Sequence, residues 1–155
     1  MIRPFHPDDT EALIDIWYAA SQVAHSFLSP EFLALEKERI REIYLPKTRT
    51  WVHLGPHGIN GFVSMLGSEV AALFVRPEHH RQGIGRVLMD HVRGMHDTLT
   101  LEVFRDNPLG RSFYRGYGFE EIGERLHVET GQVVVQMRLA RDSFNSPPVP
   151  LSSAV

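Results

Sequence analysis

The chain has 155 residues, of which 43% are hydrophobic and 23% are charged, and it contains no cysteine. That length is typical of one domain with a single core, and the composition excludes intrinsic disorder, a disulfide framework and thiolate chemistry. The formal net charge is -3, and the charges are interleaved, which excludes a general positive field for nucleic acid; any phosphate binding must be local.

The N-terminal third of the chain predicts two helices. The acidic segment 7–11 precedes apolar residues that recur at helical spacing through positions 13–20, which favours a first helix. Ser29-Pro30 supplies an N-cap and a proline for the first position of a second helix, which we expect to reach about Tyr44 and to end before Pro46.

Three strands are predicted next. The segments 51–54 and 61–66 flank the turn-rich segment 55–60, which favours a hairpin. The following strand, Glu69–Val75, is almost entirely apolar. We therefore expect it to be central in the sheet and buried on both faces.

The rest of the chain predicts a loop at 76–85 followed by a helix at 84–92. A strand at 99–103, a short helix at 108–118 and a closing hairpin at 119–139 come after them. The first of these helices is expected to pack through a face made of Ile84, Val87, Leu88, His91 and Val92. The domain is expected to span 1–140, followed by a flexible tail rich in proline and serine at 141–155.

The loop before that helix is the most informative motif. Gly83 and Gly85 remove side chains where a backbone must approach a ligand, and the N–H groups of a helix's first turn attract anions. Arg81 and Arg86 flank the glycines and can add hydrogen bonds to phosphate oxygens. An ordinary strand-to-helix turn explains the glycines alone equally well, so the surrounding residues must decide.

These surroundings resemble the GNAT acetyltransferases. The resemblance lies in His80-Arg81-Gln82-Gly83-Ile84-Gly85 after an apolar strand, followed by Asn107, Tyr114 and Gly118-Phe119. It implies an α/β (α+β) fold: a mixed, mostly antiparallel twisted sheet of about seven strands, about four helices on its faces, and a splay between the strands that flank the helix after the loop. A bacterial subgroup of the YjaB type is most similar, through Asp15-Ile16-Trp17, His25-Ser26-Phe27-Leu28-Ser29, Trp51-Val52, Ala72-Leu73-Phe74-Val75 and Gly83-Ile84-Gly85-Arg86-Val87-Leu88.

The resemblance also implies an activity and a set of roles. An amine, on a protein lysine, an N-terminus or a small molecule, would attack acetyl-CoA directly in a ternary complex. The N–H of Leu73 would polarise the acetyl carbonyl with Phe74 and Val75 alongside, and Tyr114 would protonate the departing sulfur. The remaining cofactor contacts would come from His80, Arg81, Gln82, Gly83, Ile84, Gly85, Arg86 and Asn107.

The general base is open between Glu69, His25 and a chain of water molecules. Glu69 begins the apolar strand, where several members of the family carry a glutamate, and His25 lies between the first two helices, where the family builds its acceptor site. Two positions depart from the family pattern: His80 replaces glutamine or arginine, and Gly110 stands where alanine is common. Both departures concern how tightly the cofactor is held.

Other readings are weaker. A nucleotide-binding dehydrogenase would use Glu102 for ribose, but Leu88 stands in place of its third glycine; a P-loop enzyme lacks its Gly-Lys-Ser/Thr. A catalytically silent sensor that binds acyl-CoA stays open. Histidine spacing predicts no metal site, and no apolar run of ~18 residues predicts a membrane span. We therefore expect a cytoplasmic monomer or homodimer that acts on no nucleic acid or membrane.

Overall fold

The computed structural model describes residues 1–140, which form one seven-stranded sheet with helices on both faces. The predicted tail at 141–155 lies outside the described residues. The strands are β1 (Ile2–Pro4), β2 (Arg49–Gly55), β3 (Gly58–Leu66), β4 (Glu69–Val75), β5 (Thr98–Phe104), β6 (Glu120–His127) and β7 (Gln132–Ala140). The helices are α1 (Thr10–Ala24), α2 (Pro30–Arg39), α3 (Leu45–Lys47), α4 (Ile84–Arg93) and α5 (Pro108–Tyr117).

The sheet is mixed and mostly antiparallel, as the sequence predicted. Its strand order is β1-β2-β3-β4-β5-β7-β6, which places β4 in the centre. Of the described neighbours, β4 and β5 alone run parallel, and their register contains the single pair Glu69 and Thr100. Beyond that pair the two strands diverge. The predicted splay is therefore present, and it opens a cleft in the middle of the sheet.

Each face of the sheet has its own apolar core. The α1 and α2 face contains fully buried side chains such as Leu13, Ile16 and Val52, and the α4 and α5 face contains Leu88 and Val92 among its fully buried residues. Burying one such side chain contributes roughly 1.5–3 kcal/mol. The cleft between β4 and β5 is thus bounded by two packed layers that hold its walls in place.

The second helix begins as predicted but ends differently. The Ser29 hydroxyl accepts a hydrogen bond from the Phe32 N–H at 3.1 Å, which confirms the N-cap. After α2 the chain passes through a π-helical turn, Ile40–Tyr44, into α3. Pro46 therefore lies inside the last turn and not beyond it, at the start of α3, where a residue without an N–H is tolerated.

The predicted turn at 55–60 is shorter in the structure. Gly55 pairs with Gly58, which leaves a two-residue turn. Asn60, expected in the turn, is buried in β3, where its side-chain oxygen lies 2.7 Å from Nδ1 of His53. A polar side chain satisfied in this way can join a buried strand.

Two burial predictions are wrong. Only Val70 among the seven residues of β4 is buried, because the strand borders the cleft and is not covered on both faces. On α4, Val87 is 45% exposed and Met89 is fully buried in its place, so the packed face is rotated relative to the predicted one. The apolar sequence of β4 therefore reflects a lined cleft as much as a core.

Candidate active site

A cavity of about 800 Å³ occupies the cleft between β4 and β5 and extends beneath α1 and α2. Among its lining residues are most of the predicted site residues, namely His25, Leu73, Phe74, Val75, His80, Arg81, Gly83, Ile84, Gly85, Arg86, Asn107 and Tyr114. Two predicted residues do not line it: Gln82, which is exposed, and Glu69, which lies at the first pair of β4 with β5. The structure thus brings twelve predicted residues to one cavity.

The edge of β4 that faces the cleft presents free N–H groups. The Arg76 N–H donates to the Asn60 carbonyl of β3 at 2.8 Å, and the register from residue 72 to 75 is regular. Peptide groups alternate in direction along a strand, so the N–H groups of Leu73 and Val75 point away from β3, toward β5. Because β5 has already diverged, these groups are available to a bound molecule.

The loop before α4 forms a cradle of N–H groups. Arg81 has φ +65° and the N-cap Gly83 has φ +80°, and the first of these is uncommon outside glycine. The first hydrogen bond of α4 runs from the Val87 N–H to the Gly83 carbonyl at 3.0 Å, so the N–H groups of residues 84–86 lack intrahelical partners. Gly83 provides no side chain to cap them, which suits an anion.

The two glycines of the loop serve different purposes. A Cβ at Gly83 would meet nothing within 4 Å, so its requirement is the positive φ angle. A Cβ at Gly85 would lie 3.3 Å from the Phe113 ring, so the absence of a side chain lets α4 approach α5 closely. The arginine at position 86 also lies over an aromatic ring, with its guanidinium carbon 5.3 Å from the centre of Tyr117.

His80, the first departure from the family pattern, is tied to the end of β4. Its Nε2 lies 2.9 Å from the Val75 carbonyl oxygen, so this nitrogen carries a proton and donates it. The same alternation that directs the Val75 N–H into the cleft directs its carbonyl there. The His80 side chain therefore closes the cleft edge of β4 at the point where the loop begins.

Tyr114 is a protonated phenol in an apolar wall of the cavity. Its ring packs edge-on against Phe113 and Phe119, with ring centres 5.4 and 5.8 Å apart. Burial raises the pKa of Tyr114 to about 12 because the charged form is poorly solvated there. At neutral pH its hydroxyl can donate a proton or a hydrogen bond.

Asn107 joins the start of α5 to the loop between α1 and α2. Its Oδ1 accepts from the Gly110 N–H at 3.0 Å, and its Nδ2 lies 3.3 Å from Nε2 of His25. Because Nδ2 can only donate, Nε2 of His25 must be the unprotonated nitrogen of a neutral ring. Burial lowers the pKa of His25 to about 4, in agreement with a neutral ring. Sequence reasoning missed this bond, since the partners are 82 residues apart.

A pair of carboxylates lies at the other end of the cleft. Glu69 pairs in register with Thr100, so it shares a face of the sheet with Glu102, two residues further along β5. Burial and the Glu102 charge raise the pKa of Glu69, and Arg125 opposes them. Glu102 itself lines the cavity and accepts two hydrogen bonds from Arg125 at 2.6 Å. The sequence had suggested Glu102 only as a ribose ligand.

Contacts between α2 and the turn that joins β6 to β7 lie beside the cavity, which Phe32, Glu36 and His127 help to line. Arg39 donates two hydrogen bonds of 2.7 Å to Glu129 of this turn. The rings of Phe32 and His127 meet edge-on, with centres 6.2 Å apart. These contacts join α2 to the hairpin of β6 and β7 next to the cavity.

Two further observations concern residues 1–140 alone. No three histidine, aspartate or glutamate side chains of this part of the chain are grouped so that they could hold a metal ion. None of its helices is both long enough and apolar enough to cross a membrane.

Comparison with known proteins identifies the family. A family model described as an acetyltransferase (GNAT) domain matches residues 13–141. The peptidyl-lysine N-acetyltransferase YiaC of Escherichia coli (strain K12) is 32% identical to this chain, over 77% of this chain and 82% of YiaC. The peptidyl-lysine N-acetyltransferase YjaB of the same organism is 30% identical, over 90% of this chain and 95% of YjaB.

Solved structures agree with the family match. The solution structure of apo-form YjaB from Escherichia coli superposes with a TM-score of 0.81 at 28% identity, covering 89% of this chain and 95% of YjaB. PaiA N-acetyltransferase from Thermoplasma acidophilum, solved in complex with coenzyme A, shares the fold with a TM-score of 0.77 at 19% identity over 90% and 98% of the chains. The chain described here is thus an N-acetyltransferase and belongs to the GNAT family.

Proposed function

We propose that this enzyme transfers an acetyl group from acetyl-CoA to the side-chain amine of lysine in proteins. One observation carries the proposal: a single cavity combines the free edge of β4, the uncapped N-terminus of α4 and the phenol of Tyr114. The free edge of β4 can hold an acyl chain, the N-terminus of α4 can bind phosphates, and the phenol of Tyr114 can donate a proton. The two curated relatives that share about a third of their residues are named peptidyl-lysine N-acetyltransferases, which supports lysine as the acceptor.

The cofactor would be held mainly by backbone. The N–H groups of residues 84–86 bind the pyrophosphate, and Arg81 and Arg86 add charge at the rim of the cavity. The carbonyl of Leu73 and the N–H of Val75 hold the pantetheine arm extended along β4, and Asn107 contacts it from the α5 side. A site built from backbone explains why the side chains of residues 73–75 can be purely apolar.

Two groups of the chain act on the reacting atoms. The Leu73 N–H donates a hydrogen bond to the carbonyl oxygen, which becomes negative as the lysine nitrogen attacks the carbonyl carbon. Tyr114 gives its proton to the sulfur as the carbon–sulfur bond breaks, so the thiol leaves neutral. The products are an amide on the acceptor and coenzyme A, and the tyrosine regains a proton from solvent.

Glu69 fits the role of base better than His25 does. The raised pKa of Glu69 brings it closer to the neutral range where a base is most effective, whereas the pKa of His25 falls to about 4 and its Nε2 is already occupied by Asn107. Since Glu69 does not line the cavity, we assign it to take the proton from the attacking amine through a water molecule.

The acceptor would enter beneath α2. Apolar and aromatic side chains, among them Trp17, Phe62 and Phe104, line that part of the cavity and suit the aliphatic stem of lysine. Glu102 lines the same space and can attract the ammonium group before it loses its proton.

The test is a transfer assay with three acceptor classes: peptides with an internal lysine and a blocked N-terminus, lysine-free peptides with a free N-terminus, and small amines. A thiol reagent reports released coenzyme A without background, because the enzyme has no cysteine, and mass spectrometry locates the acetyl group. We expect acetylation of the lysine peptides and a large loss with Tyr114→Phe. Coenzyme A binding with no transfer to any acceptor would refute the proposal.

A further inference from the structure

We propose that His25 is a positioning residue that fixes the carboxamide of Asn107 for its contact with the pantetheine arm. The inference rests on the proposed function, since it assigns a task at the same site. The inference goes beyond the proposed function because it links the loop between α1 and α2, on the acceptor side, to the start of α5, on the cofactor side.

The orientation of the Asn107 amide is determined by its two partners. Oδ1 accepts from the Gly110 N–H at 3.0 Å, and Nδ2 donates to Nε2 of His25 at 3.3 Å. Turning the amide over would place an N–H against the Gly110 N–H and leave both without an acceptor. Asn107 is 8% exposed, so such a loss would be costly. The second hydrogen of Nδ2 is left for a ligand.

Gly110, the second departure from the family pattern, is required by this arrangement. A Cβ at position 110 would lie 2.5 Å from Nδ2 and 3.1 Å from Cγ of Asn107, and 3.2 Å from Cγ2 of Val103. The carboxamide could not stay in its present position beside an alanine. Asn107, Gly110 and His25 therefore act as one unit, in which glycine makes room for an amide that histidine holds.

His25 is itself held firmly enough to orient a partner. Its ring packs against Phe104 and Phe27, with ring centres 5.1 and 5.8 Å apart. Its backbone N–H donates to the Ser21 carbonyl at 2.8 Å, and its carbonyl accepts from the Leu28 N–H at 3.0 Å. The imidazole thus reaches Asn107 from a fixed loop.

The test is a double-mutant cycle on the full-length enzyme, with coenzyme A binding measured by titration calorimetry. His25→Phe keeps a ring of similar size without the acceptor and should weaken binding about tenfold. His25→Gln, whose side-chain oxygen can accept, should recover most of the affinity. Gly110→Ala should match His25→Phe, and the double variant should bind no more weakly than either single variant, because both changes break the same link.

Steady-state kinetics separate positioning from catalysis. A positioning role predicts that His25→Phe raises KM for acetyl-CoA more than it lowers kcat, whereas a lost base would lower kcat and leave coenzyme A affinity unchanged. His57→Phe, on the exposed β2–β3 turn, is the matched control and should behave as wild type. Thermal unfolding identifies a misfolded variant. If His25→Phe is misfolded, the coenzyme A affinities of the other two variants test the inference instead: Gly110→Ala should bind more weakly than wild type, and His25→Gln should bind nearly as well as wild type.

Two results would overturn the inference and leave the proposed function intact. One is wild-type coenzyme A affinity in folded His25→Phe, and the other is full additivity in the cycle. Failure of the wild-type enzyme itself to bind coenzyme A would instead refute the proposed function, and the inference with it.

Discussion

The buried, neutral state of His25 makes the stability of the fold depend on pH in a defined direction. Burial lowers the pKa of His25 to about 4 in the folded chain, whereas the unfolded value is about 6.5. Between these values the unfolded chain binds more protons than the folded one. Acidification therefore lowers the free energy of unfolding through this window, and the full contribution of a neutral His25 is present above about pH 6.5.

The size of the effect follows from the shift. Each pKa unit corresponds to about 1.4 kcal/mol, so His25 removes up to about 3 kcal/mol of stability between pH 6.5 and 4, and about 2 kcal/mol by pH 5. His25→Phe has no proton to gain and lacks this component. The variant should lose less stability than wild type on acidification, even if it is less stable at pH 7.

Urea unfolding at pH 7.5, 6 and 5 can measure this difference. The two tryptophans, Trp17 and Trp51, are both buried, so their fluorescence should change on unfolding. Groups such as Glu69, whose pKa is raised, contribute to both proteins and cancel in the comparison. His57→Phe should follow the wild-type profile. Parallel profiles for wild type and His25→Phe would mean that His25 can be protonated in place, which would refute its assignment as a neutral acceptor.

Four other substitutions test the site. Gly83→Glu, which forces a side chain onto φ +80° and adds negative charge, should weaken coenzyme A binding by at least about a hundredfold by calorimetry; normal binding would contradict the pyrophosphate site. Tyr114→Phe should keep coenzyme A affinity and lower kcat by about 10²-fold to 10⁴-fold; an unchanged kcat would show that the sulfur needs no tyrosine proton. With Glu69→Gln, the decline of kcat/KM as pH falls through the raised pKa of Glu69 should disappear; its persistence would place the base elsewhere. His80→Gln should change coenzyme A affinity less than about threefold, since glutamine can donate to Val75; a larger loss would give the imidazole a direct phosphate contact.

The sequence predicts best what depends on local pattern. The glycine loop before α4 was identifiable as a candidate because glycines at a helix start suit a bound anion, and the resemblance to the family then distinguished it from an ordinary turn. Asn107 and Tyr114 were assigned through the resemblance to the GNAT acetyltransferases, because both follow the glycine loop at the spacing of the family pattern. The positions of β2 to β7 along the chain also followed from pattern, since glycine, proline or polar residues marked the turns between them, whereas the short strand β1 was not predicted.

Contacts between distant segments were not predictable in the same way. Nothing local marks His25 as the partner of Asn107, and the positive φ angle of Arg81 has no residue signature because arginine rarely adopts it. Glu102 alternates with apolar residues on β5 and resembles an ordinary solvent-facing position. Only the splay of β4 from β5 turns that face into the wall of a cavity.

The misjudged burial of β4 shows why a central strand can mislead. An apolar run at the centre of a sheet is consistent with a core, yet most of β4 is only partly buried. A strand with one face toward solvent would carry polar side chains on that face, and a core strand would be buried on both faces. Neither description fits β4. A strand that is apolar, central and incompletely covered is explained by its place in the wall of a cavity. The register of β4 adds a second sign: Ser64 pairs with Ala72 and Met65 with Val70, so Ala71 is an extra residue on β4. Such a bulge redirects a strand and favours its divergence from β5, which ties the opening of the cleft to the sequence of β4 itself.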